Sequence, residues 1–296
     1  MPGHLRAYAY GLAAVLLWST AASAFKLALR FLDPAELQLC AVATAVAFLL
    51  VHAAATGKLR GASAWTPRML LCSAVAGFLN PFAYYRVLFA AYRRLPAQEA
   101  LVLNYLWPIV LALLAVPFLG QRLGPRSLGA LALSFVGVIV IGTRGDLASL
   151  RFQDPVGIML AAGSSVIWAL YWILNVRDRR DGATKLLQSF LFGLCYLIIA
   201  HITGCGFRAL PWKGLAGAFY VGLFEMGVTF ALWLKALSLI DRTARISNLV
   251  FLSPCLSLVL VRFVLAEPIA PSTLAGLTLI LTGIALQVTS RRSSPG

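Results

Sequence analysis

Charge is scarce in this 296-residue chain: 12% of its residues are Asp, Glu, Lys or Arg, against 60% that are hydrophobic. A soluble globular domain carries about 25% charged and roughly 45–50% apolar residues. The shortfall excludes an ordinary soluble domain and a disordered chain. Cysteine is sparse as well. Cys40, Cys72, Cys195, Cys205 and Cys255 are odd in number, lie mostly in apolar stretches and form no Cys-x-x-Cys pair. A disulfide-stapled module and a zinc centre are thereby excluded, leaving small apolar fillers. There is no His-Glu-x-x-His and no Gly-x-Ser-x-Gly elbow, and Gly57-Lys58 lacks the glycine upstream and the Ser/Thr downstream of a phosphate loop. The chain therefore reads as no enzyme, with no metal and no cofactor.

Acids are the rarest charged residues, 10 against 25 Lys and Arg. On a soluble chain a pI near 10.2 points to nucleic acid. Here the bases are scattered through short connections, the habit of cytoplasmic loops of membrane proteins, and no nucleic-acid partner is expected.

What the chain has in abundance is apolar runs long enough to cross a bilayer as helices, about 20 residues each. Ten can be drawn: Ala7–Leu29, Ala35–Ala54, Met69–Ala91, Ala97–Leu119, Gly124–Thr143, Asp154–Val176, Thr184–Thr203, Lys213–Ala236, Arg242–Leu265 and Pro271–Thr289. The runs are continuous rather than alternating, so they read as helices and not barrel strands. The connections are too short for a separate domain. Arg6 followed by an apolar stretch and Ala22-Ser23-Ala24 has the look of a cleaved leader. The apolar run continues through Leu29, however, and reads as a first span. With both termini on one side, the segments on that side hold fourteen Lys and Arg and the opposite segments nine, with Arg86 and Lys235 inside spans. That bias predicts cytoplasmic termini.

The sequence also repeats itself. At an offset of 146, Leu106 meets Leu252, Pro108 meets Pro254, Leu119 meets Leu265, Pro125 meets Pro271 and Gly137 meets Gly283. Earlier the offset drifts, pairing Trp18 with Trp168 and His52 with His201. Each half, 1–146 and 147–296, then holds five spans. Five is odd, so the second half enters the membrane upside down. Inverted repeats are an architecture of secondary transporters, with cargo sites near the midplane between the halves.

Each half ends on a mid-helix proline, a polar residue, a Pro/Gly-rich turn and a small-residue helix. The first reads Asn104-Tyr105-Leu106-Trp107-Pro108, Leu119-Gly120-Gln121 and Leu128 to Gly142; the second reads Phe251-Leu252-Ser253-Pro254, Leu265-Ala266-Glu267 and Leu274 to Gly283. This pattern, over nearly the whole chain, resembles the EamA-type drug/metabolite transporter superfamily, and within it the bacterial aromatic amino-acid exporters. The first half departs from it, with Gln121 where the family pattern has an acid, so no role of that acid carries over. The resemblance implies an all-α membrane protein of ten helices around a central cavity lined by helices 1, 3, 4, 6, 8 and 9, in a bacterial inner membrane. It also implies export of amino acids by alternating access. An uncoupled facilitator, or an exporter of other small metabolites or drugs, is the alternative. Small residues seven apart, Ala130/Gly137 and Gly276/Gly283, predict close packing of helices 5 and 10. A monomer is expected.

Polar groups inside a bilayer usually face a cavity or the protein interior. Glu225, Thr229 and Trp233, at i, i+4 and i+8, share a helix face. Glu225 reads as a group for a substrate ammonium or a proton-coupling carboxyl, or else as a hydrogen-bonded structural acid. Ser164, Trp168, Tyr171 and Asn175 form a second stripe. Asn80, Tyr84, Tyr105 and Trp107 add polar and aromatic groups in helices 3 and 4, and Asn248 and Phe251 in helix 9. Aromatic rings with polar tips suit cargo that is apolar in the middle and charged at its ends. Pro108 and Pro254 are candidate hinges. Lys26 reads as snorkelling to the headgroups, or else as reaching a substrate carboxylate near the outer mouth, and Arg86 reads similarly; His52, His201, Trp65 and Trp212 read as interfacial.

Overall fold

A computed structural model of the chain describes residues 3–58, 66–120, 124–146, 154–178, 180–204, 209–239 and 248–290. Among these residues every regular element is helical. In chain order they are α1 (Gly3–Ala28), α2 (Pro34–Ala55), α3 (Pro67–Gly77), a π-helical segment (Phe78–Ala83), α4 (Tyr84–Arg94), α5 (Ala97–Asn104), α6 (Trp107–Leu119) and α7 (Pro125–Gly142). There follow α8 (Pro155–Arg177), α9 (Gly182–Gly204), α10 (Trp212–Tyr220), a second π-helical segment (Val221–Val228), α11 (Thr229–Ser238), a 3₁₀ turn (Asn248–Phe251), α12 (Leu252–Val264) and α13 (Pro271–Ser290). Six stretches are long and apolar enough to cross a membrane: Leu5–Ala28, Pro34–Ala55, Ala97–Phe118, Pro155–Arg177, Gly182–Gly204 and Trp212–Ser238. Leu128–Gly142, Leu249–Val264 and Pro271–Leu286 are shorter apolar helices.

The helix starts follow from local chemistry. Pro34, Pro67, Pro125 and Pro155 stand in first turns, where a missing N–H costs nothing. Thr66 and Asp154 accept from Met69 N and Gly157 N, satisfying donors that have no partner within the helix. Asp33 and Glu36 form a capping box ahead of α2. Glycine in the left-handed region, Gly120, ends α6.

Three interruptions shape the interior. Before Pro81, Asn80 is pushed to φ −144° and ψ 118°, which separates α3 from α4. At Tyr105 and Leu106 the chain leaves helix between α5 and α6. Pro108 therefore stands in the first turn of a new helix rather than in the middle of a kinked one, and Pro254 likewise stands in the first turn of α12. This corrects the mid-helix placement read from the sequence.

The packing runs in matched pairs. α1 lies against α11 and α12, while α8 lies against α4 and against α5 and α6. α2 packs on the second π segment, and α9 on α3 and the first π segment. α2 and α9 touch each other, as do α7 and α13. The α7–α13 contact uses the small residues named above. A Cβ on Gly137 would stand 2.8 Å from Gly276 O, and one on Gly283 2.7 Å from Ala130 O. In lipid, where apolar surface gains nothing from meeting other apolar surface, such close packing holds helices together. The outer faces carry Phe263, Val51, Leu71, Phe135 and Met159, each about two-thirds exposed or more.

Candidate functional site

A cavity of about 630 Å³ lies at the centre of the helices. α1 lines it with Trp18, Ala21, Ala22 and Phe25, α4 with Tyr84, Leu88 and Tyr92, and α5 and α6 with Leu101, Asn104, Trp107, Pro108 and Leu111. From the second half come Trp168, Trp172 and Val176 of α8, Glu225 of the π segment, Phe230, Trp233 and Leu237 of α11, Val250 and Ile284. Tyr105 joins them from the turn after α5.

The wall is aromatic and interlocked. The Tyr84 and Trp168 rings lie 4.7 Å apart, Trp168 and Phe230 6.0 Å, and Trp18 is 5.4 Å from Trp233 and 5.8 Å from Phe230. Behind the rings, Tyr84 donates to Asn104 Oδ1 at 3.3 Å and Asn104 Nδ2 donates to Ser164 Oγ at 2.8 Å. Ser164 in turn donates to Ala161 O. Three helices are pinned by this relay, which fixes the orientation of Tyr84 and Asn104 at the wall.

Glu225 sits within the second π segment. π turns insert an extra residue into a helix and recur at functional sites. Tyr85, fully buried on α4, donates to Glu225 Oε1 at 3.2 Å, while Oε2 has no partner among the described residues. Gly222, one turn earlier, allows the close approach of α2: a Cβ there would stand 2.2 Å from Ala41 O.

The cavity has two unlike ends. Toward the end bearing residues 29–33 and 95–96, Phe25, Leu88 and Tyr92 are 2–3% exposed and close it. The Phe25 ring meets those of Phe89 and Tyr92 at 4.9 and 5.3 Å. Beyond this plug runs a polar seam. Gln98 donates to Pro268 O and accepts from Ala270 N, both at 2.8 Å; Glu267 Oε2 accepts from Ala97 N at 3.0 Å; and Arg144 pairs with the buried Glu99 at 2.9 Å. Toward the opposite end, Val176, in the last turn of α8, lines the cavity and is 66% exposed.

Of the residues nominated from the sequence, Tyr84, Tyr105, Trp107, Pro108, Trp168, Glu225 and Trp233 line the cavity. Others do not. Asn80 is fully buried at the break after α3, Ser164 lies behind Asn104, and Tyr171 stacks on Trp168 at 5.5 Å from the far side. Thr229 is turned away to bond Phe224 O five residues back, because the π segment rotates the face on which i+4 spacing would have set it beside Glu225. Phe251 and Pro254 pack outside the lining, with Pro254 buried in α12. Asn248 opens the 3₁₀ turn, and its side chain lies outside the described residues, as do Gln121, Ser247, Trp65 and Cys205. Trp212 is 73% exposed with Lys213 Nζ 5.9 Å from its ring, as an interfacial residue would be. Arg86 does not snorkel: it donates to Gln38 Oε1 at 3.0 Å, and Gln38 donates to the Pro81 and Phe82 carbonyls freed by the helix break.

Sequence reasoning missed Trp18, Trp172, Phe230 and Tyr85. Two signals were available. Trp18 is the repeat partner of the nominated Trp168, and Trp172 lies one helical turn beyond it.

Among similar proteins, one named aromatic amino acid exporter YddG, from Ancylobacter novellus, is 27% identical over 75% of this chain and 76% of its own. A probable terminal-alkyne amino-acid exporter of Streptantibioticus cattleyicolor is 27% identical over 92% of this chain and 90% of its own. The uncharacterized transporter YvbV of Bacillus subtilis is 26% identical over 74% of this chain and 72% of its own. A solved crystal structure with 22% identity superposes with TM-score 0.66 over 97% of this chain and 99% of the other, a likeness of fold. The EamA-like transporter family matches residues 5–143 and again 155–289. Helical throughout its described residues, with a cavity at its centre and two successive matches to one family, the chain is a multi-pass membrane protein that belongs to the EamA-like transporter family.

Proposed function

We propose that this protein is a secondary transporter that exports small amino compounds, amino acids with aromatic or other apolar side chains among them, across a bacterial inner membrane. One cavity serves both sides in turn. The observation that carries this reading is the cavity itself: an aromatic chamber with one acidic side chain among the described residues, sealed at one end by Phe25, Leu88 and Tyr92 and lined by exposed Val176 toward the other. Rings take an apolar side chain, and Glu225 takes an ammonium.

Residues 1–146 and 147–296 act as two inverted five-helix repeats in this reading, ten spans in all, with both termini cytoplasmic. Support comes from the matched packing. α1 on α11 and α12 corresponds to α8 on α4 and on α5 and α6, and α2 on the second π segment corresponds to α9 on the first. The helix breaks before Pro108 and Pro254, also matched, are where the two halves would flex. The working unit in this reading is a monomer. The basic excess on the terminal side supports the orientation, and the family names of the relatives support export.

The test is flux in liposomes holding the purified chain. Saturable movement of tryptophan, phenylalanine, leucine and the corresponding amines is expected, measured with and without a proton gradient. It should fall at least about ten-fold in Glu225→Gln, which keeps the shape and removes the charge. Non-saturable movement, or unchanged flux in Glu225→Gln at every pH, would overturn the reading.

A further inference from the structure

We propose that Asn104 reads the polar end of the cargo: its free amide N–H donates to a carboxyl oxygen, so the cavity favours an amino acid over the amine of the same side chain. The assignment rests on the transport reading above and narrows its substrate class.

Asn104 is the one side-chain amide among the described residues that line the cavity, and its orientation is forced from behind the wall. The Ser164 hydroxyl spends its hydrogen on Ala161 O at 2.6 Å. Its oxygen therefore faces Asn104 as an acceptor and receives Nδ2 at 2.8 Å. That settles which way the amide lies. Oδ1 falls to the Tyr84 hydroxyl at 3.3 Å, and one Nδ2 hydrogen is left over. The two hydrogens of an amide diverge. With the first committed to Ser164, which is fully buried, the second is left for the cavity that Asn104 lines. Ser164 is in this view a positioning residue for Asn104.

The neighbours of Asn104 have the same polarity. Trp18, Trp107, Trp168 and Trp233 line the cavity with ring N–H groups that bond nothing among the described residues, and the Tyr92 hydroxyl is likewise unspent. In the empty cavity such donors are met by water. A cargo with an acceptor oxygen replaces that water, whereas an amine without one displaces it and returns no hydrogen bond. A site built to bond a polar group rejects the analogue that lacks it, because its own donors are then left unpaired. Among the unspent donors, Asn104 is the one whose direction is set by hydrogen bonds on both sides.

L-tryptophan, L-tryptophan amide and tryptamine share one indole and differ only at the carboxyl carbon. The full-length protein in liposomes at pH 7 should carry tryptophan with kcat/KM about ten-fold above that of tryptamine, with the amide between them. Asn104→Leu, close in shape and without a donor, should bring the ratio of tryptophan to tryptamine near one. The ratio is taken within one protein, so a loss of folded molecules cancels. Ser164→Ala frees the amide to turn over. It should raise KM for tryptophan about three-fold while leaving kcat and the KM for tryptamine unchanged; a change shared by both cargoes would contradict the positioning role. Tryptamine carried as well as tryptophan, or a preference that survives Asn104→Leu, would overturn the inference and leave transport standing. Flux of none of the three, nor of leucine or phenylalanine, through monodisperse protein would instead refute the transport reading and this inference with it.

Discussion

Helices α7 and α13 meet through glycine and alanine, whereas the helices around the cavity meet through rings. In the first region, Gly137, Gly276 and Gly283 bring backbones so close that a single added carbon collides with a carbonyl. In the second, Trp18, Trp168, Trp233 and Phe230 hold helices apart and leave space among them. The contrast separates two uses of apolar residues in lipid. Small ones fasten, because van der Waals contact between backbones is the attraction available. Large ones with a polar partner build a chamber. The helices also differ in continuity: α7 and α13 run unbroken, while several of the cavity's neighbours are interrupted, before Pro81, at Tyr105 and through Val221–Val228.

If the division holds, damage in the two regions should be of different kinds. The largest effect on the fold is expected from Gly276→Leu. Its first added carbon alone would fall 2.4 Å from Ile141 Cγ1 and 2.8 Å from Gly137 O. Overpacking of this sort costs about 1–3 kcal/mol, a fall in Tm of about 2–5 °C in detergent. Flux per folded molecule should be preserved. Glu225→Gln should do the reverse, losing flux with a Tm within a few degrees of the parent. A Gly276→Leu protein of normal Tm would break the comparison.

Pro108→Ala probes the breaks. The proline sits in the first turn of α6, so its removal should leave Tm nearly unchanged. It should let helix extend back through Leu106 and slow flux about three-fold with cargo affinity unaltered. Equal rates would show that the break at Tyr105 is static.

The smallest effect belongs to the surface. Asp154 caps α8 and receives Arg94 at 2.9 Å; the hydrogen bonds from Arg94 hold its carboxyl below the usual carboxylate range. A depressed folded pKa gives stability that is present above the unfolded value, about 3.9, and is lost as the pH falls through the folded one. Asp154→Asn should therefore lower Tm slightly at pH 7, and the gap should begin to close as the pH falls below about 4 and vanish only below the folded pKa. A gap that persists in acid would show that the cap, not the charge, sets the effect.

The comparison also shows what a sequence of this kind displays. Spans such as Pro34–Ala55 and Pro155–Arg177 lie within two residues of where hydropathy put them, because the membrane demands uninterrupted apolar length. The α7–α13 contact was legible because small residues seven apart form one face. The cavity was legible in part. Glu225 stood out as a deep acid, yet its partner Tyr85 lies 140 positions away and no local pattern links them. The π segment carries no proline to announce it, so Thr229 was set on the wrong face. Ser164 and Tyr171 were found as polar and aromatic residues on the right helix, but they stand behind the wall, and helical spacing alone does not distinguish lining from backing.

The central claim is that one cavity opens to each side in turn. Its most direct test is thiol accessibility in intact vesicles, in a chain whose five cysteines are replaced, with single probes at Ala97→Cys and Val176→Cys. Ala97 is fully buried at the sealed end and Val176 is 66% exposed at the other. Without cargo, Val176→Cys should react from the side of the termini and Ala97→Cys should not react. Saturating tryptophan should lower the first rate and raise the second, from the opposite face. A Val176→Cys rate indifferent to cargo, with Ala97→Cys never labelled, would contradict the account, because the cavity would then be a blind pocket and not a path.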